Sequence, residues 1–571
     1  MAISALEEHL VRNRIVPENK LPHVRAEADK NGVPLLELIE QSGFATSEEL
    51  YRSLADFCEM RFVRPSEMAV EPQLVEEIPA RFATHYKFVP LELQDDALLI
   101  AISDPLNTHL IDDIRLVLKR RVVAVVATPG EITRRTKQLY GLGADTVERI
   151  VSDSAGTAGE TALDMAPVAE DLGDETIDAS IIKFVNEVLL EAIQTGATDV
   201  HIEPFEDELR VRYRIDGVLH AVPTPPSIRG FRSAIVSRVK VMANLNIAEK
   251  RLPQDGKIQA SLADGKYDLR VSVLPTPYGE TLNIRILTRS SVFMSLEDLG
   301  FLPDDLVQMN RFLAKPHGII LLTGPTGSGK TTTLYASLSK LNLLDRKTLT
   351  IEDPIEYQLH GITQMQVLPK IGFDFAMGLR SMLRHDPDIM MVGEIRDYET
   401  AEMSIRASLT GHLVFSTLHT NDAAGTVTRL IDMGVEPFLI ASTMIASIAQ
   451  RLIRKVCENC AEPFSPSPEA LKELGIGAAE AKEVIFRQGK GCDVCRQTGY
   501  KGRLAICEIL PFTQPIKELA MRGASSGEIK RKGCELGMAT LRDAGRVRVL
   551  SGLTTVEEVL RVTADTDVVF E

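Results

Sequence analysis

The segment GIILLTGPTGSGKTTTLYASL, residues 318–338, constrains the fold of this chain more than any other stretch. It predicts a buried strand from Gly318 to Thr323, a glycine-rich loop, and a helix that starts near Lys330. From about Ser295 onward, predicted strands and helices alternate, which favours a mainly parallel sheet with crossover helices. Together these features predict an α/β domain that binds phosphate groups at the start of a helix.

The loop meets the whole Walker A pattern, Gly324-x4-Gly329-Lys330-Thr331. Its glycines allow backbone N–H groups to surround phosphates, Lys330 can reach the β and γ phosphates, and the Thr331 hydroxyl can ligate magnesium. A glycine-rich turn with a chance lysine is the alternative, but the flanking strand and helix argue against it. We expect ATP and Mg²⁺ to bind at Gly324, Pro325, Thr326, Gly327, Ser328, Gly329, Lys330, Thr331 and Thr332.

Two acidic segments are candidates for the carboxylate that a P-loop requires at the end of a neighbouring strand. DIMMVGE, residues 388–394, predicts a short apolar strand that ends in Glu394, which we assign to magnesium-bound water, to the attacking water, or to both. TIEDPIEY, residues 350–357, ends another β-rich run and carries Glu352, Asp353 and Glu356. Carboxylates this close to a triphosphate repel it unless magnesium lies between them or they face the attacking water.

Four of the seven cysteines form the pattern C-x2-C-x31-C-x2-C. Four thiolates from two tight turns suit tetrahedral zinc, and a closed shell of sulfur ligands indicates a structural rather than a catalytic ion. Four unliganded thiols are the alternative. We expect structural Zn²⁺ on Cys457, Cys460, Cys492 and Cys495.

Charge and hydropathy exclude several classes of protein. A formal net charge of -16 argues against binding nucleic acid through a global basic field. The first sixteen residues are charged and lack the apolar core of a signal peptide, so we expect a cytoplasmic protein. The most apolar stretch, residues 438–453, is interrupted by polar residues and is too short to span a bilayer, so it predicts a buried helix.

The length of 571 residues favours several domains. Residues 1–142 predict an N-terminal domain, residues 143–177 an acidic flexible linker, residues 178–290 a second α+β domain, and residues 295–571 the P-loop domain with a zinc subdomain at 455–500. The N-terminal domain starts with a helical repeat at an offset of 29 residues. The repeat matches three pairs of core positions, Leu10/Ile39, Ile15/Phe44 and Leu21/Leu50.

The order of these motifs resembles that of the GspE/PilB family of secretion-superfamily ATPases. TIEDPIEY is similar to the family's aspartate box, DPDIMMVGEIRD to its Walker B segment, and RASLTGHLVFSTLHTNDA, residues 406–423, to its histidine box. The resemblance covers about residues 178–563. It implies an α/β, multidomain protein: a RecA-like P-loop motor domain with a four-cysteine zinc subdomain, preceded by a PAS-like α+β domain and an MshEN-like helical and α+β docking domain.

The resemblance also implies roles for the acids. Glu352, Asp353 and Glu356 would form the aspartate box, and Glu394 would be the Walker B acid. Glu352 and Asp353 would support the metal shell. Either Glu356 or Glu394 would orient the attacking water, and the motifs leave this choice open.

The histidine box and the arginines would complete the catalytic machinery. His412 and His419 would sense the γ-phosphate or couple its loss to movement, although a lone histidine is more often structural. Arginines from the domain before the P-loop would neutralise charge on the γ-phosphate, although alternating arginines are also typical of a solvated strand face. The candidates are Arg212, Arg214, Arg251 and Arg270.

The function implied by the resemblance is that of a homo-hexameric ATPase, peripheral at the cytoplasmic face of the inner membrane. It would act on an inner-membrane platform protein, and through it on pseudopilins or pilins, while its N-terminal domain docks on the cytoplasmic domain of a membrane-anchored assembly protein. The motif sequences favour type II secretion. Type IV pilus assembly is the alternative, and a DNA-translocating motor is a distant one, because we expect no nucleic-acid partner.

The N-terminal repeat resembles a domain that binds cyclic di-GMP in some members of this family. That domain carries R-L-G at its start and a glutamine at its end. Pro34, Leu35 and Leu36 stand at the first position here, and Phe57 stands at the second. We therefore expect no tight binding of cyclic di-GMP.

Overall fold

The computed structural model describes residues 2–31, 33–94, 97–148, 175–262, 265–288, 294–492 and 494–564. The chain divides into two compact units, Met1–Ala260 with Asp268–Ile286, and Ser261–Tyr267 with Leu287–Glu571. Within the described ranges, every helix is too short or too polar to cross a bilayer.

The first unit begins with two pairs of helices, Ala2–Arg12 with Leu21–Asn31, and Leu35–Gln41 with Ser47–Phe57. The core positions predicted from the repeat all belong to one hydrophobic cluster: Leu10, Ile39 and Leu50 are fully buried, and Ile15, Leu21 and Phe44 are partly buried. The two pairs thus share one core, as the repeat predicts.

A small sheet follows the helical pairs. Its strands are β1 (Phe88–Gln94), β2 (Ala97–Ile102) and β3 (Arg121–Val126), in the order β1-β2-β3. β1 and β2 are antiparallel, whereas β3 runs parallel to β2. The surrounding helices are Pro72–Glu77, Ala80–His85, Thr108–Leu118 and Pro129–Tyr140.

The folded part of the first unit extends beyond the predicted start of the linker. Residues 144–148 are helical, and Val147 is fully buried. Glu148 accepts hydrogen bonds from the backbone amides of Ala80 (2.6 Å) and Arg81 (3.1 Å), at the start of a helix. These residues are therefore anchored, contrary to the prediction of a flexible segment from 143. Residues 149–174 of the predicted linker lie outside the described residues.

A second, larger sheet of the first unit has the strand order β6-β5-β4-β9-β8-β7. Tyr213 on β5 donates a hydrogen bond to the Val188 carbonyl (2.8 Å) of a helix that packs against this sheet. The helices here are Glu175–Gln194 and Arg232–Met242. The strands are β4 (Ala197–Pro204), β5 (Leu209–Ile215), β6 (Val218–Val222), β7 (Gln254–Leu262), β8 (Gly265–Thr276) and β9 (Gly279–Thr288).

The second unit is built around a seven-stranded sheet with the order β12-β11-β13-β14-β10-β15-β18. The six strands from β12 to β15 in this order run parallel, and β18 is antiparallel to β15, so the predicted mainly parallel sheet is confirmed. The strands are β10 (Gly318–Thr323), β11 (Thr348–Glu352), β12 (Thr363–Gln366), β13 (Ile389–Val392), β14 (Leu413–Leu418), β15 (Met444–Val456) and β18 (Tyr500–Pro511). A separate pair consists of β16 (Ala461–Pro463) and β17 (Arg487–Gly489).

Helices pack on both faces of this sheet, as crossover connections between parallel strands require. Those up to the end of the parallel part are Pro303–Leu313, Lys330–Leu341, Phe375–Met382, Tyr398–Leu409, Gly425–Asp432 and Pro437–Thr443. The later ones are Gln514–Met521, Ser526–Glu535, Leu541–Leu550 and Val556–Thr563. Two short helices, Pro468–Glu473 and Ala478–Glu483, belong instead to a separate hydrophobic cluster with the last two of these helices.

The apolar stretch 438–453 is not the single buried helix that its composition predicts. A helix ends at Thr443, and β15 begins at Met444. β15 lies between β10 and β18 and is buried on both faces, which explains its apolar composition without amphipathic spacing. Ser447 is paired across the sheet face with Thr426 (2.8 Å), so this polar interruption is satisfied inside the core.

A buried carboxylate joins the last described helix to β15. Glu558 accepts hydrogen bonds from the Arg454 backbone amide (3.0 Å) and guanidinium (2.7 Å), and two more from Arg561 (2.9 and 2.7 Å). The Arg454 guanidinium also lies 4.1 Å from the centre of the Tyr500 ring. Burial alone would raise the pKa of Glu558, but the two arginines outweigh it and lower that pKa.

Replacing this carboxylate should destabilise the second unit. We expect Glu558→Gln to lower the free energy of unfolding by about 3 kcal/mol at neutral pH, because two arginines lose the charge that compensates them. A lowered folded-state pKa means that the contribution is present above the pKa of an unfolded glutamate and is lost as the pH falls through the folded-state value. The stability difference should therefore shrink on acidification. Thermal denaturation measures both effects, with the exposed Glu557→Gln as control; equal stability of Glu558→Gln and wild type at pH 7 would contradict this prediction.

Candidate active site

The parallel sheet places segments of the four predicted motifs along one edge. Carboxyl ends of neighbouring parallel strands meet at the same edge, where α/β proteins bind their ligands. The P-loop follows β10, His419 follows β14, Glu394 lies two residues after β13, and Asp353 directly follows β11. Because β11, β13, β14 and β10 are consecutive neighbours, these four segments lie side by side.

The conformation of the P-loop depends on two of its glycines. Gly324 has φ 143° and Gly329 has φ 87°, which favour glycine over other residues. A Cβ on Gly324 would lie 2.6 Å from the Gln450 carbonyl, and a Cβ on Gly329 would lie 2.8 Å from the Gln450 side-chain nitrogen. The loop is therefore pressed against β15, and only glycine fits at these two points.

Lys330 is held by the loop that precedes it. Its ammonium donates to the carbonyls of Gly324 (2.6 Å) and Pro325 (3.1 Å), and its side chain is almost fully buried. Burial, with the charge of Arg451 as a second cause, lowers its pKa to about 8, while the charge of Glu394 acts in the opposite direction. A phosphate oxygen would be a stronger partner for this cation than the two carbonyls.

Gln450 on β15 braces the P-loop, and Arg451 beside it binds the segment after β14; neither was predicted from the sequence. The Gln450 amide accepts a hydrogen bond from Thr333 (2.8 Å) and donates one to the Ser328 carbonyl (2.9 Å). The buried Arg451 guanidinium donates to the Gln450 carbonyl (3.2 Å) and to the Asn421 carbonyl (2.9 Å). The only sequence signal was that both polar residues interrupt the most apolar stretch of the chain.

Both carboxylate oxygens of Glu394 have a polar partner. One carboxylate oxygen accepts a hydrogen bond from Arg396, and the other lies 3.2 Å from the His419 ring nitrogen Nε2. Arg396 also reaches to 4.0 Å from Asp353, so one guanidinium lies between two acids. Burial would raise the pKa of Glu394, but Arg396 and His419 outweigh it and lower that pKa, which keeps the carboxylate ionised at neutral pH.

Glu352 does not face this edge in the way predicted for a magnesium ligand. Its buried carboxylate accepts hydrogen bonds from Tyr335, from the Thr350 hydroxyl (2.6 Å) and from Gln364 (3.0 Å). Thr350 and Glu352 are two residues apart on β11 and point to the same face, toward the helix that carries Tyr335. Burial raises the pKa of Glu352, and the carboxylate ties β11 to the P-loop helix instead of supporting a metal shell.

Glu356 lies close to two tyrosines, Tyr335 on the P-loop helix and Tyr357. The rings of Tyr335 and Tyr357 meet edge to face with centroids 4.6 Å apart. Burial, with the charge of Glu356 as a second cause, raises the pKa of Tyr357 to about 12. The charge of Glu356 therefore raises the pKa of Tyr357, whereas the charge of Glu394 acts to raise the pKa of Lys330.

His412 lies at the opposite edge of the sheet from His419. It precedes β14, and its ring nitrogen Nδ1 contacts the Ala407 carbonyl (2.7 Å) and the Thr410 hydroxyl (3.1 Å). These contacts lie at the carboxyl end of the helix Tyr398–Leu409. Of the two histidines in the predicted histidine box, only His419 lies on the same edge as the P-loop.

The predicted arginines belong to the first unit. Arg212 and Arg214 alternate with buried residues on β5, which confirms that they share one strand face. Arg212 makes two hydrogen bonds with Glu203 (2.7 and 2.8 Å), and Arg214 donates to the Gly217 carbonyl (3.0 Å). Arg251 is highly exposed and pairs with Glu249 (2.9 Å).

The four predicted cysteines form a compact cluster. Their Sγ atoms all lie within 4.8 Å of one another, with separations of 3.8 Å between Cys457 and Cys492, 3.7 Å between Cys460 and Cys495, and 3.6 Å between Cys492 and Cys495. Tetrahedral zinc with about 2.3 Å bonds to sulfur requires separations of about 3.8 Å, so the cluster fits Zn²⁺. The Cys457 backbone amide also donates to the Gly499 carbonyl (2.9 Å), which joins the two cysteine turns.

The edge also fits ATP and Mg²⁺. The Ser328 hydroxyl is buried and has no hydrogen-bond partner within the described part of the chain, as expected of a loop that surrounds an anion. Thr331 is exposed at the start of the P-loop helix, where its hydroxyl would hold Mg²⁺ together with the ionised Glu394. Bound Mg²⁺ would supply charge neutralisation for the phosphates.

Fold and site together define a P-loop ATPase with a RecA-like domain. The chain belongs to the family described as "Type II/IV secretion system protein", whose sequence profile matches residues 174–561. The profile described as "MshEN domain" matches residues 58–146.

Curated relatives support this membership over nearly the full chain. Type IV pilus assembly ATPase PilB of Myxococcus xanthus is 40% identical, covering 98% of this chain and 99% of its own length. Type II secretion system protein E of Xanthomonas campestris is 41% identical over 99% of both chains. Type II secretion system protein E of Pseudomonas aeruginosa is 49% identical over 73% of this chain and 82% of its own.

Loss of one cysteine ligand should remove the metal and destabilise its surroundings. We expect Cys492→Ser protein to retain far less than one zinc per chain and to unfold at a lower temperature, because metal binding contributes directly to folding in all-sulfur sites. Metal analysis of the purified protein and thermal denaturation measure the two effects. Cys534→Ser, outside the cluster, is the control. Unchanged zinc content in Cys492→Ser would contradict the site.

Proposed function

We propose that this chain is the ATPase of a type II secretion system, and that it hydrolyses ATP at the edge formed by the P-loop, Glu394 and His419. The observation that carries the catalytic part is the contact of Glu394 with His419 on the strand end next to the P-loop. The names of relatives such as those of Xanthomonas campestris and Pseudomonas aeruginosa support the choice of system.

In this mechanism each residue has a stated task, and Glu394 has two. P-loop amides and Lys330 bind the phosphates, and the Thr331 hydroxyl with Glu394 would hold Mg²⁺. The ionised Glu394 accepts a hydrogen bond from the attacking water, while Arg396 and His419 fix the orientation of its carboxylate. Glu356 is the competing candidate for the water, since it follows the neighbouring strand β11.

The proposal includes a homo-hexamer that acts at the inner membrane. Arginines of the first unit would neutralise γ-phosphate charge in the assembled ring. Arg214 suits this role better than Arg212, because its contacts, an ion pair of 3.9 Å with Asp199 and one hydrogen bond to the Gly217 carbonyl, are weaker than the two hydrogen bonds between Arg212 and Glu203. The load would be an inner-membrane platform protein with its pseudopilins, and the N-terminal domain would dock on the cytoplasmic domain of a membrane-anchored assembly protein.

Type IV pilus assembly is the second candidate function. It is favoured by the PilB of Myxococcus xanthus, which matches this chain along nearly its whole length. Both systems use the same chemistry in this proposal, so the choice concerns the load and not the active site.

Substitutions of the two competing glutamates should separate their roles. We expect Glu394→Gln to lower kcat by about a hundredfold or more while the affinity for ADP changes less than about threefold, because the amide keeps the shape but accepts no proton. Glu356→Gln should keep more than about a tenth of wild-type kcat. Steady-state ATPase assays and ADP titration measure both values, with the exposed Glu399→Gln as control. Near-wild-type turnover in Glu394→Gln, or a larger loss in Glu356→Gln, would reverse the assignment.

A gene deletion in the source bacterium should identify the load. We expect the deletion strain to retain its secreted enzymes in the periplasm while surface pili are still assembled, and we expect the wild-type gene, but not one encoding Lys330→Ala, to restore secretion. Immunoblots of periplasm and culture medium, with electron microscopy of pili, give the readout. Loss of pili with normal secretion would instead establish pilus assembly.

A further inference from the structure

Three charged side chains form a mostly buried group behind the segment that follows β14. They are Asp422 in that segment, Glu508 on β18, and Lys530 on the helix Ser526–Glu535. The Lys530 ammonium lies 3.4 Å from an oxygen of Asp422 and 3.8 Å from an oxygen of Glu508. The Glu508 side chain has no exposed surface, and those of Lys530 and Asp422 are only 15% and 20% exposed.

Both carboxylates of this group fix the backbone after His419. Glu508 accepts a hydrogen bond from the Ala423 amide (2.9 Å), although β18 and β14 are separated by two strands in the sheet. Asp422 accepts one from the Gly425 amide (2.8 Å) and so caps the next helix. Lys530 is the cation that both acids share.

The same segment is tied to the P-loop from its other side. The Thr420 amide donates to the Thr323 hydroxyl (2.8 Å) at the end of β10, and Arg451 donates to the Asn421 carbonyl (2.9 Å). Residues 420–423 are therefore each held by a different contact. Together these contacts set the backbone position from which His419 reaches Glu394.

His419 depends on that backbone more than a buried residue would. Its side chain is 53% exposed, and its contact with Glu394 is a single polar contact of 3.2 Å. A shift of the segment by a fraction of this distance would break the contact. Anchoring of the segment is thus a condition for orienting the Glu394 carboxylate.

We propose that Lys530 is a positioning residue for ATP hydrolysis, which acts through Asp422 and Glu508 to hold His419 on Glu394. This inference rests on the roles proposed above for His419 and Glu394. Lys530 belongs to the helices that follow the sheet, so it also makes the orientation of Glu394 depend on where those helices pack. Without its cation, the fully buried Glu508 carboxylate and the mostly buried Asp422 carboxylate would lie close together uncompensated and would move apart or take up a proton.

The inference is tested in the full-length protein with Lys530→Met and Lys530→Arg. We expect Lys530→Met to lower kcat about tenfold while KM for ATP and the affinity for ADP change less than about threefold, because the P-loop itself keeps its braces. Lys530→Arg should recover at least half of wild-type kcat, since it restores the charge. The matched control is Lys532→Met, which removes a lysine of the same helix whose side chain is 40% exposed and which pairs only with Glu535 among the described contacts.

A double mutant separates positioning from simple stabilisation. If Lys530 acts through His419, kcat of His419→Ala with Lys530→Met should equal that of His419→Ala alone within about twofold, instead of showing both losses multiplied. If Lys530→Met protein does not fold, Glu508→Gln takes its place in the comparison with His419→Ala, because it keeps an acceptor for the Ala423 amide but removes the charge.

The outcomes distinguish this inference from the proposed function. Wild-type kcat in folded Lys530→Met or Glu508→Gln, a parallel loss of ADP affinity, or multiplied effects in the double mutant would overturn the positioning role while His419→Ala still loses turnover. Wild-type kcat in His419→Ala itself would remove the proposed role of His419, and the inference about Lys530 with it.

Discussion

The parallel order of four strands is the constraint on which the rest of this structure depends. Since β11, β13, β14 and β10 are neighbours that point the same way, their carboxyl ends bring Asp353, Glu394, His419 and the P-loop to one edge. The glycines at 324 and 329 then allow the loop to press against β15. The proposed roles of Lys330, Glu394 and His419 depend on this arrangement, because their motifs are far apart in the chain.

The site balances its charges before any nucleotide binds. Arg396 lies between Asp353 and Glu394, and Lys330 is held by carbonyls of its own loop. Glu352 does not contribute to the charge at this edge, because its buried carboxylate is hydrogen-bonded to Thr350 and Gln364. One of the three acids of TIEDPIEY, Glu352, is therefore structural, and the edge carries less negative charge than the sequence suggests.

The sequence predicted the parts of the site that local spacing determines. The bounds of β10, the start of the P-loop helix and the four-cysteine cluster follow from local motifs, and the structure confirms them. The sequence-based prediction of one helix for residues 438–453 was wrong, because an apolar run without clear periodicity fits a strand buried on both faces as well as a helix. Glu352 was misplaced because a motif does not show which face of a strand a residue occupies. Gln450 and Arg451 next to the P-loop, and Lys530 next to the segment after His419, were missed because they come from strands and helices remote in sequence, and no local pattern marks such contacts.

We infer that Glu394, and not Glu356, faces the water that attacks ATP. An experimental structure with Mg²⁺ and a non-hydrolysable ATP analogue would show which carboxylate holds that water. We expect the Lys330 ammonium to leave the carbonyls of Gly324 and Pro325 for phosphate oxygens, with the Glu394 carboxylate in hydrogen-bond reach of a water at the γ-phosphate. A water held by Glu356, with Glu394 still bound only to Arg396 and His419, would contradict it.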